Sequence, residues 1–332
     1  MIAAAGLDRL VGDPRWCPHP VVVMGWWIQR LRRLAEAWAG DQPGLLRLAG
    51  LSITLLLVVG SGLAGWALEQ LTRLQPAATP LLLIALASAL AGRSLEQAVR
   101  QVLRQLPAQS DPADTDLAPA RQALSWIVGR ETAALSGGEI VRAAAETASE
   151  NAVDGLFAPL FWMAVGAACW SASGLQAPGP LALAWGFKAA STLDSMLGYR
   201  RGRLRWLGTA GARLDDLLVW LPCRLVALSL PLVAGQGARG CWRQWRLARR
   251  DGAPDPSPNA GLSQATYAHA TGVQLGGVNR YGSGEKAKPL LAAGQPLPTA
   301  ASVERMLRLT GRLELLWLVP IAGLGLAPLL PR

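Results

Sequence analysis

Two runs in this chain are apolar for longer than the core of a small soluble domain requires. Residues 49–68 (AGLSITLLLVVGSGLAGWAL) and 313–330 (LELLWLVPIAGLGLAPLL) each approach the ~20 residues with which an α-helix crosses the hydrocarbon of a bilayer. Segments 77–92, 156–175 and 217–236 fit the same class less cleanly, being shorter or broken by proline and polar residues. Lipid offers no hydrogen bonds to an open backbone, so such segments are expected to be helices. Composition agrees, with 51% hydrophobic and only 16% charged residues, where soluble domains carry about 25% charged. The fold expected is an all-α, polytopic integral membrane protein forming one domain over residues 1–332. It has about five hydrophobic helices, interfacial amphipathic helices and a long polar loop region at 251–301. The N-terminal MIAAAGLDRLVGDP reaches Asp8 and Arg9 too early to be a signal peptide.

The charge is +10, from 32 basic against 22 acidic residues, and nearly all of the surplus is arginine. Its placement separates a membrane surface from nucleic acid as the partner. In WWIQRLRRLAEAW (26–38) and RGCWRQWRLARR (239–250), arginine recurs at helical steps among tryptophans, which is the pattern of helices anchored at lipid headgroups. No nucleic-acid role is expected. Arginines before the first span (Arg30, Arg32, Arg33, Arg47) and after the second (Arg93, Arg100, Arg104) predict that both flanks face the cytoplasm. The expected location is therefore the cell (inner) membrane, with the polar motifs on the cytoplasmic side. Pro222, Arg224 and Pro231 predict a broken or re-entrant element at 217–236. Cys17, Cys169, Cys223 and Cys241 are scattered, and His19 and His269 are the only histidines, so neither a disulfide framework nor a multi-histidine metal site is indicated.

Five polar clusters lie beside the apolar segments. The first, LDRLVGDPRWCPHPVVVMG, holds Asp8, Asp13 and His19 and fits a capped turn leading into the interfacial helix. The second, ETASENAVDGLFAPLFW, places Glu146, Glu150 and Asp154 at four-residue steps with Asn151 beside them, and GRET (129–132) precedes it. A regular helix makes these acids one stripe. Solvated faces usually mix signs, and Arg142 is the only base between Gly138 and Trp162. Either a solvated face or a cation-binding, catalytic stripe remains open on spacing alone; an oxygen-ligated magnesium ion would relieve the repulsion. KAASTLDSMLGY and ARLDDLLVWLP are the third and fourth clusters. The fifth, DPSPNAGLSQATYAHATGVQLGGVNRYGSGE, needs tight turns and could offer backbone N–H groups to an anion. No P-loop, dinucleotide, G-x-S-x-G or H-E-x-x-H motif is present.

Taken in order, GDP…HPV…G, GRET…AETASENAVDGLFAPLFW, K…TLDSMLGY, ARLDDLL…LP.R and SPNAG…QLGG…Y.G resemble the adenosylcobinamide-phosphate synthase (CobD/CbiB) family of cobalamin biosynthesis, from about Asp8 to Gly284. The chain departs from the family pattern at Ser191, Val219 and Glu131, where Asn, Asn and Asp are usual; only Val219 loses the polar group. The resemblance implies a membrane ligase that joins aminopropanol or its phosphate to a propionate of adenosylcobyric acid, with ATP as co-substrate and Mg2+ as the expected ion. The expected partners are the corrinoid, the amino alcohol (phosphate), the bilayer, and a second copy or other cobalamin-assembly enzymes. A transporter or non-catalytic scaffold is the competing class.

The residues expected to act follow from that chemistry. Glu146, Glu150, Asp154, Asp194 and Asp215 are candidates for catalysis, and Glu150, Asp154 and Asp216 for metal binding. Arg130, Lys188 and Arg213 would serve phosphate or propionate groups. His19, Asn151, Thr192, Ser195, Tyr199, Ser257, Asn259, Gln274 and Tyr281 complete the expected substrate contacts, so regions 8–20, 129–155, 188–216 and 251–301 would converge on one site.

Overall fold

A computed structural model describes residues 1–12, 19–107, 116–281 and 284–326. The chain runs through α1 (Ile2–Val11), α2 (Pro20–Ala39), α3 (Pro43–Leu74), α4 (Thr79–Ala87), α5 (Gly92–Arg104), α6 (Ala118–Ser125) and α7 (Gly137–Ala152). A π turn (Val153–Phe157) leads to α8 (Ala158–Ser173), then α9 (Pro180–Leu197), α10 (Leu204–Leu207), α11 (Thr209–Val233), α12 (Ala238–Gly252) and α13 (Ala260–Thr271). A hairpin, β1 (Leu275–Tyr281) and β2 (Gly284–Leu291), precedes α14 (Ala300–Leu326). Among the described residues four stretches are long and apolar enough to cross a membrane: Pro43–Leu74, Pro76–Arg104, Gly137–Ser173 and Thr209–Val233. The fifth expected span falls on α14, whose last expected residues lie beyond those described.

Two compact units emerge: Met1–Arg93 with Asp154–Val219 and Leu318–Arg332, and Ser94–Val153 with Trp220–Trp317. In the first unit, α3 packs on α9 and α10 around Ile28, Leu46, Ile53, Leu57, Leu193 and Leu207. Glycine permits the close approach: a Cβ on Gly50 would lie 2.0 Å from Leu207 O, and one on Gly65 2.8 Å from Ala182 Cα. A buried carboxylate fixes the start of α9. Glu69 of α3 is 1% exposed and accepts the N–H groups of Gly179 (2.9 Å), Leu181 (2.6 Å) and Ala182 (3.3 Å), three donors that the first helical turn cannot satisfy itself. Asp8 does the same for α5, accepting from Gly92 (3.1 Å) and Arg93 (3.3 Å).

The expectation of a broken element at 217–236 is corrected by α11, which runs unbroken with Pro222 and Pro231 inside it. Pro222 has no N–H for the carbonyl four residues back, that of Leu218. The indole of Trp162 donates to this carbonyl instead, at 3.2 Å, which is how a membrane helix accommodates proline.

In the second unit, every residue of α13 but His269 is buried. The α12–α13 crossing is a glycine contact, since a Cβ on Gly261 would meet Gly252 O at 2.4 Å. Tyr267 Oη and Thr310 Oγ1 are hydrogen-bonded at 2.7 Å, tying α13 to α14. Arg100 of α5 reaches Glu304 of α14 at 3.0 Å. The polar loop expected at 251–301 is therefore largely ordered secondary structure. The hairpin's antiparallel register (Val278 with Ala287, Asn279 with Lys286) slips between Leu275 and Gly277, where Gly276 and Gly277 take φ of +82° and +99°, values that glycine alone adopts easily.

Candidate functional site

The second unit gathers its charged and amide side chains where α7, α13 and the hairpin meet. Helix α7 starts at a capping box: Ser136 Oγ accepts from Glu139 N–H at 3.4 Å and Glu139 Oε2 accepts from Ser136 N–H at 2.8 Å. From that fixed start, Glu146 and Glu150 follow one turn apart. Glu146 is 6% exposed. Its Oε2 lies 2.9 Å from Arg130 Nη1, and its Oε1 accepts the Gly276 N–H at 3.1 Å with Arg142 Nε at 3.9 Å. Arg130 Nη1 also donates to Asn279 Oδ1, and Arg142 donates to the carbonyls of Gly276 and Val278. A Cβ on Gly277 would stand 2.6 Å from Arg142 Nη1, so the glycine pair of QLGG makes room for the guanidinium. Two guanidiniums, Arg130 and Arg142, face the one carboxylate of Glu146.

This arrangement answers the repulsion expected along the acidic stripe. Glu146 is neutralised by Arg130 and Arg142, and the anion met by the Gly276 N–H is the chain's own carboxylate. Glu150 accepts from Gln264 Nε2 at 2.7 Å. Lys288 Nζ stands 3.4 Å from Asp255 Oδ2, with the two side chains 17% and 3% exposed. The stripe itself is not regular. Asp154 sits in the π turn, whose wider bonding pattern departs from 3.6 residues per turn, so the four-residue step after Glu150 no longer fixes its face. Among the described residues, no three His, Cys, Asp or Glu side chains gather closely enough to hold a metal ion.

Other expected contacts in this unit hold the loop. Ser257 Oγ accepts from Ala260 N–H at 3.3 Å at the start of α13, and Asp255 Oδ1 from Ser257 N–H at 2.9 Å. Asn259 Oδ1 accepts from Arg224 Nη1 at 2.8 Å, and Gln274 Oε1 from Gly294 N–H at 3.0 Å. Asn151 is half-buried at the end of α7. The Tyr281 side chain and Asp13 lie outside the described residues. Gln264, Asn279, Arg142, Arg224, Asp255 and Lys288 were not foreseen as members of this network. The signal for Arg142 is its four-residue step to Glu146; for Gln264, the one amide side chain in AGLSQATYAHAT; for Lys288, its rarity among three lysines.

The first unit holds the remaining candidates. His19 caps α2, its Nδ1 accepting from Val21 N–H at 3.3 Å. Lys188, Thr192, Asp194 and Ser195 lie on α9, where the hydroxyls of Thr192 and Ser195 donate to the carbonyls of Lys188 (2.7 Å) and Thr192 (2.9 Å). A Cβ on Gly198 would lie 2.1 Å from Asp194 Oδ1, so only glycine leaves room for that carboxylate. Tyr199 is exposed, with the Arg201 guanidinium 5.0 Å from its ring. On α11, Arg213 is exposed while Asp215 and Asp216 are half-buried. Two clefts of about 490 and 500 Å³ flank α3, one bordered by Trp27 and Trp185, the other by Trp66 and Trp162. Among the described residues, the lining of each is mostly apolar and aromatic, with no charged side chain.

A family model described as "CobD/Cbib protein" matches residues 1–310. The cobalamin biosynthesis protein CobD of Synechocystis sp. is 41% identical over 300 residues, covering 90% of this chain and 83% of the relative. CobD of Chromobacterium violaceum is 40% identical over 325 residues (97% and 93%), and the cobalamin biosynthesis protein CbiB of Salmonella typhi 37% identical over 307 residues (91% and 89%). No solved structure matches the chain. A family match over nearly the whole chain, relatives aligned along most of their length and four membrane-grade helical stretches agree: this chain belongs to the CobD/CbiB family of cobalamin biosynthesis proteins.

Proposed function

We propose that the chain is an adenosylcobinamide-phosphate synthase, a ligase forming the amide between a propionate of adenosylcobyric acid and aminopropanol or its phosphate. The observation that carries this reading is the family match across residues 1–310. A carboxylate is a poor electrophile and an alkylammonium is no nucleophile, so ATP is proposed to phosphorylate the propionate, releasing ADP. The neutral amine nitrogen then attacks the acyl carbon, the C–O bond to phosphate breaks, and the amine's protons pass to a base.

Glu150 is the residue we assign as that base; the Gln264 amide holds it one turn from the Arg130–Glu146–Arg142 cluster. The forked donors of Arg130 and Arg142 are proposed to meet the acyl phosphate or the transferred phosphate. Glu146 is a positioning residue in this scheme, since its oxygens are occupied by Arg130, Arg142 and Gly276. Lys188 and Arg213 are proposed to meet the anionic groups of the corrinoid or amino alcohol, and Asp154, Asp194, Asp215 and Asp216 to orient the amine or the nucleotide. The described residues do not form a carboxylate cage for magnesium, so the ion is proposed to enter bound to nucleotide phosphates and water. The active site is proposed to face the cytoplasm, where ATP is available.

The test is direct. Purified protein given adenosylcobyric acid, aminopropanol phosphate and ATP should yield a product heavier by the condensed amine, identified by mass. Glu150→Gln should lower the rate by about 10²–10⁴-fold while leaving expression and folding intact. Unconverted substrate accumulating inside proteoliposomes would instead identify a transporter.

A further inference from the structure

Helix α12 has one face built for contact with an anionic surface. Arg239, Trp242, Arg243, Arg246, Arg249 and Arg250 are all exposed, with Trp242 59% exposed. At 100° per residue these six fall within a third of the helix circumference. Among the described residues, no carboxylate pairs with Arg239, Arg243, Arg246 or Arg249; Arg250 alone has a partner, Asp251 at 2.9 Å. The opposite face is tied down. Cys241, Ala248 and Gly252 are buried, Gln244 Nε2 donates to His269 O at 3.4 Å, and Asp251 Oδ2 binds His269 Nε2 at 2.8 Å and the Ala292 N–H at 3.2 Å. The helix therefore cannot roll to hide its arginines.

Position selects the partner. Helix α11, apolar enough to span a membrane, ends at Val233, and α12 begins at Ala238. The four linking residues reach at most about 15 Å, so α12 starts at the edge of the bilayer. We infer that α12 lies along the membrane with its arginine face on anionic lipid headgroups, Trp242 inserted among them, and that this contact fixes the orientation of the α12–α13–hairpin body. Guanidiniums match lipid phosphates by their forked donors, and an indole between them suits the headgroup layer.

The test uses full-length protein in nanodiscs, with Trp242→Cys carrying an environment-sensitive fluorophore in a Cys17→Ser/Cys169→Ser background. In discs of 30% phosphatidylglycerol the probe should emit blue-shifted relative to pure phosphatidylcholine, and added salt should reverse much of the shift. Replacing Arg239, Arg243, Arg246 and Arg249 together by Gln should abolish the difference between the two lipids. That variant should keep its elution volume and thermal midpoint, because among the described residues no carboxylate pairs with these four side chains. Equal emission in both lipids for the wild type, or a difference that survives the Gln variant, overturns the inference. So does a shift that appears only when a soluble polyanion or another protein is added.

Discussion

Replacing Glu146 by Gln tests the buried charge cluster most directly. The substitution keeps the volume and leaves an oxygen for the Gly276 N–H, so that 3.1 Å hydrogen bond can persist. What disappears is the negative charge between Arg130 and Arg142, whose side chains are 6% and 14% exposed. Removing one partner of a buried pair costs about 3–5 kcal/mol, chiefly because the remaining charge is left uncompensated in a poorly solvated place. Retaining one hydrogen bond recovers roughly 1 kcal/mol of this, leaving about 2–4 kcal/mol. In a body of this size each kcal/mol moves the midpoint by about 2–4 °C. Heating in detergent, followed by loss of the monodisperse peak, should thus show a fall of about 5–15 °C. Glu146→Gln combined with Arg130→Met should recover part of the loss, since one stranded guanidinium goes with it. A single-variant change below about 2 °C, or a double variant with the full sum of both losses, would refute the electrostatic argument.

Three further outcomes follow from other contacts. Gly276→Ala would put a Cβ 1.9 Å from Pro289 O at a φ of +82°; it should cost at least about 1–3 kcal/mol, read as a lowered thermal midpoint. Glu69→Ala strands three N–H donors at the start of α9 and should lower stability by about 2–4 kcal/mol, while Glu69→Gln, which keeps one acceptor oxygen, should lose less. Burial would raise the Asp251 carboxyl, but hydrogen bonds from Arg250, His269 and the Ala292 N–H outweigh it and hold the group below its usual range. Its stabilisation is therefore complete above the unfolded value of about 3.9 and is lost as pH falls through the lower folded value. The wild type should thus lose thermal stability more steeply than Asp251→Asn below about pH 4; superimposed curves from pH 6 to 3 would show that Asp251 contributes nothing.

The membrane architecture was legible because lipid leaves a long apolar segment few options other than a helix, and residues 43–74 and 209–233 obey that restriction. The continuity of α11 was not legible, because the donor that replaces the missing N–H of Pro222 comes from Trp162, far away in sequence. The arginine–carboxylate balance was half legible: Arg142 stands one turn before Glu146, but Arg130 arrives from a loop and Asn279 from a hairpin. Glycine content alone reads QLGG as flexible loop, whereas the structure makes it a bulged strand fitted to Arg142. The acidic run at 146–154 shows the limit of periodicity, since the π turn begins just before its last member.

The bond from Glu69 to the start of α9 spans 110 residues. At ordinary translation speeds, on the order of 10 s elapse between synthesis of Glu69 and emergence of its donors from the ribosome. For that time the only acid of α3 rides near the end of a mostly apolar helix entering the insertion machinery. Newly made α3 must therefore wait at the membrane for a later segment, and shortened chains ending before Gly179 should be recognised and degraded by the cell as incomplete.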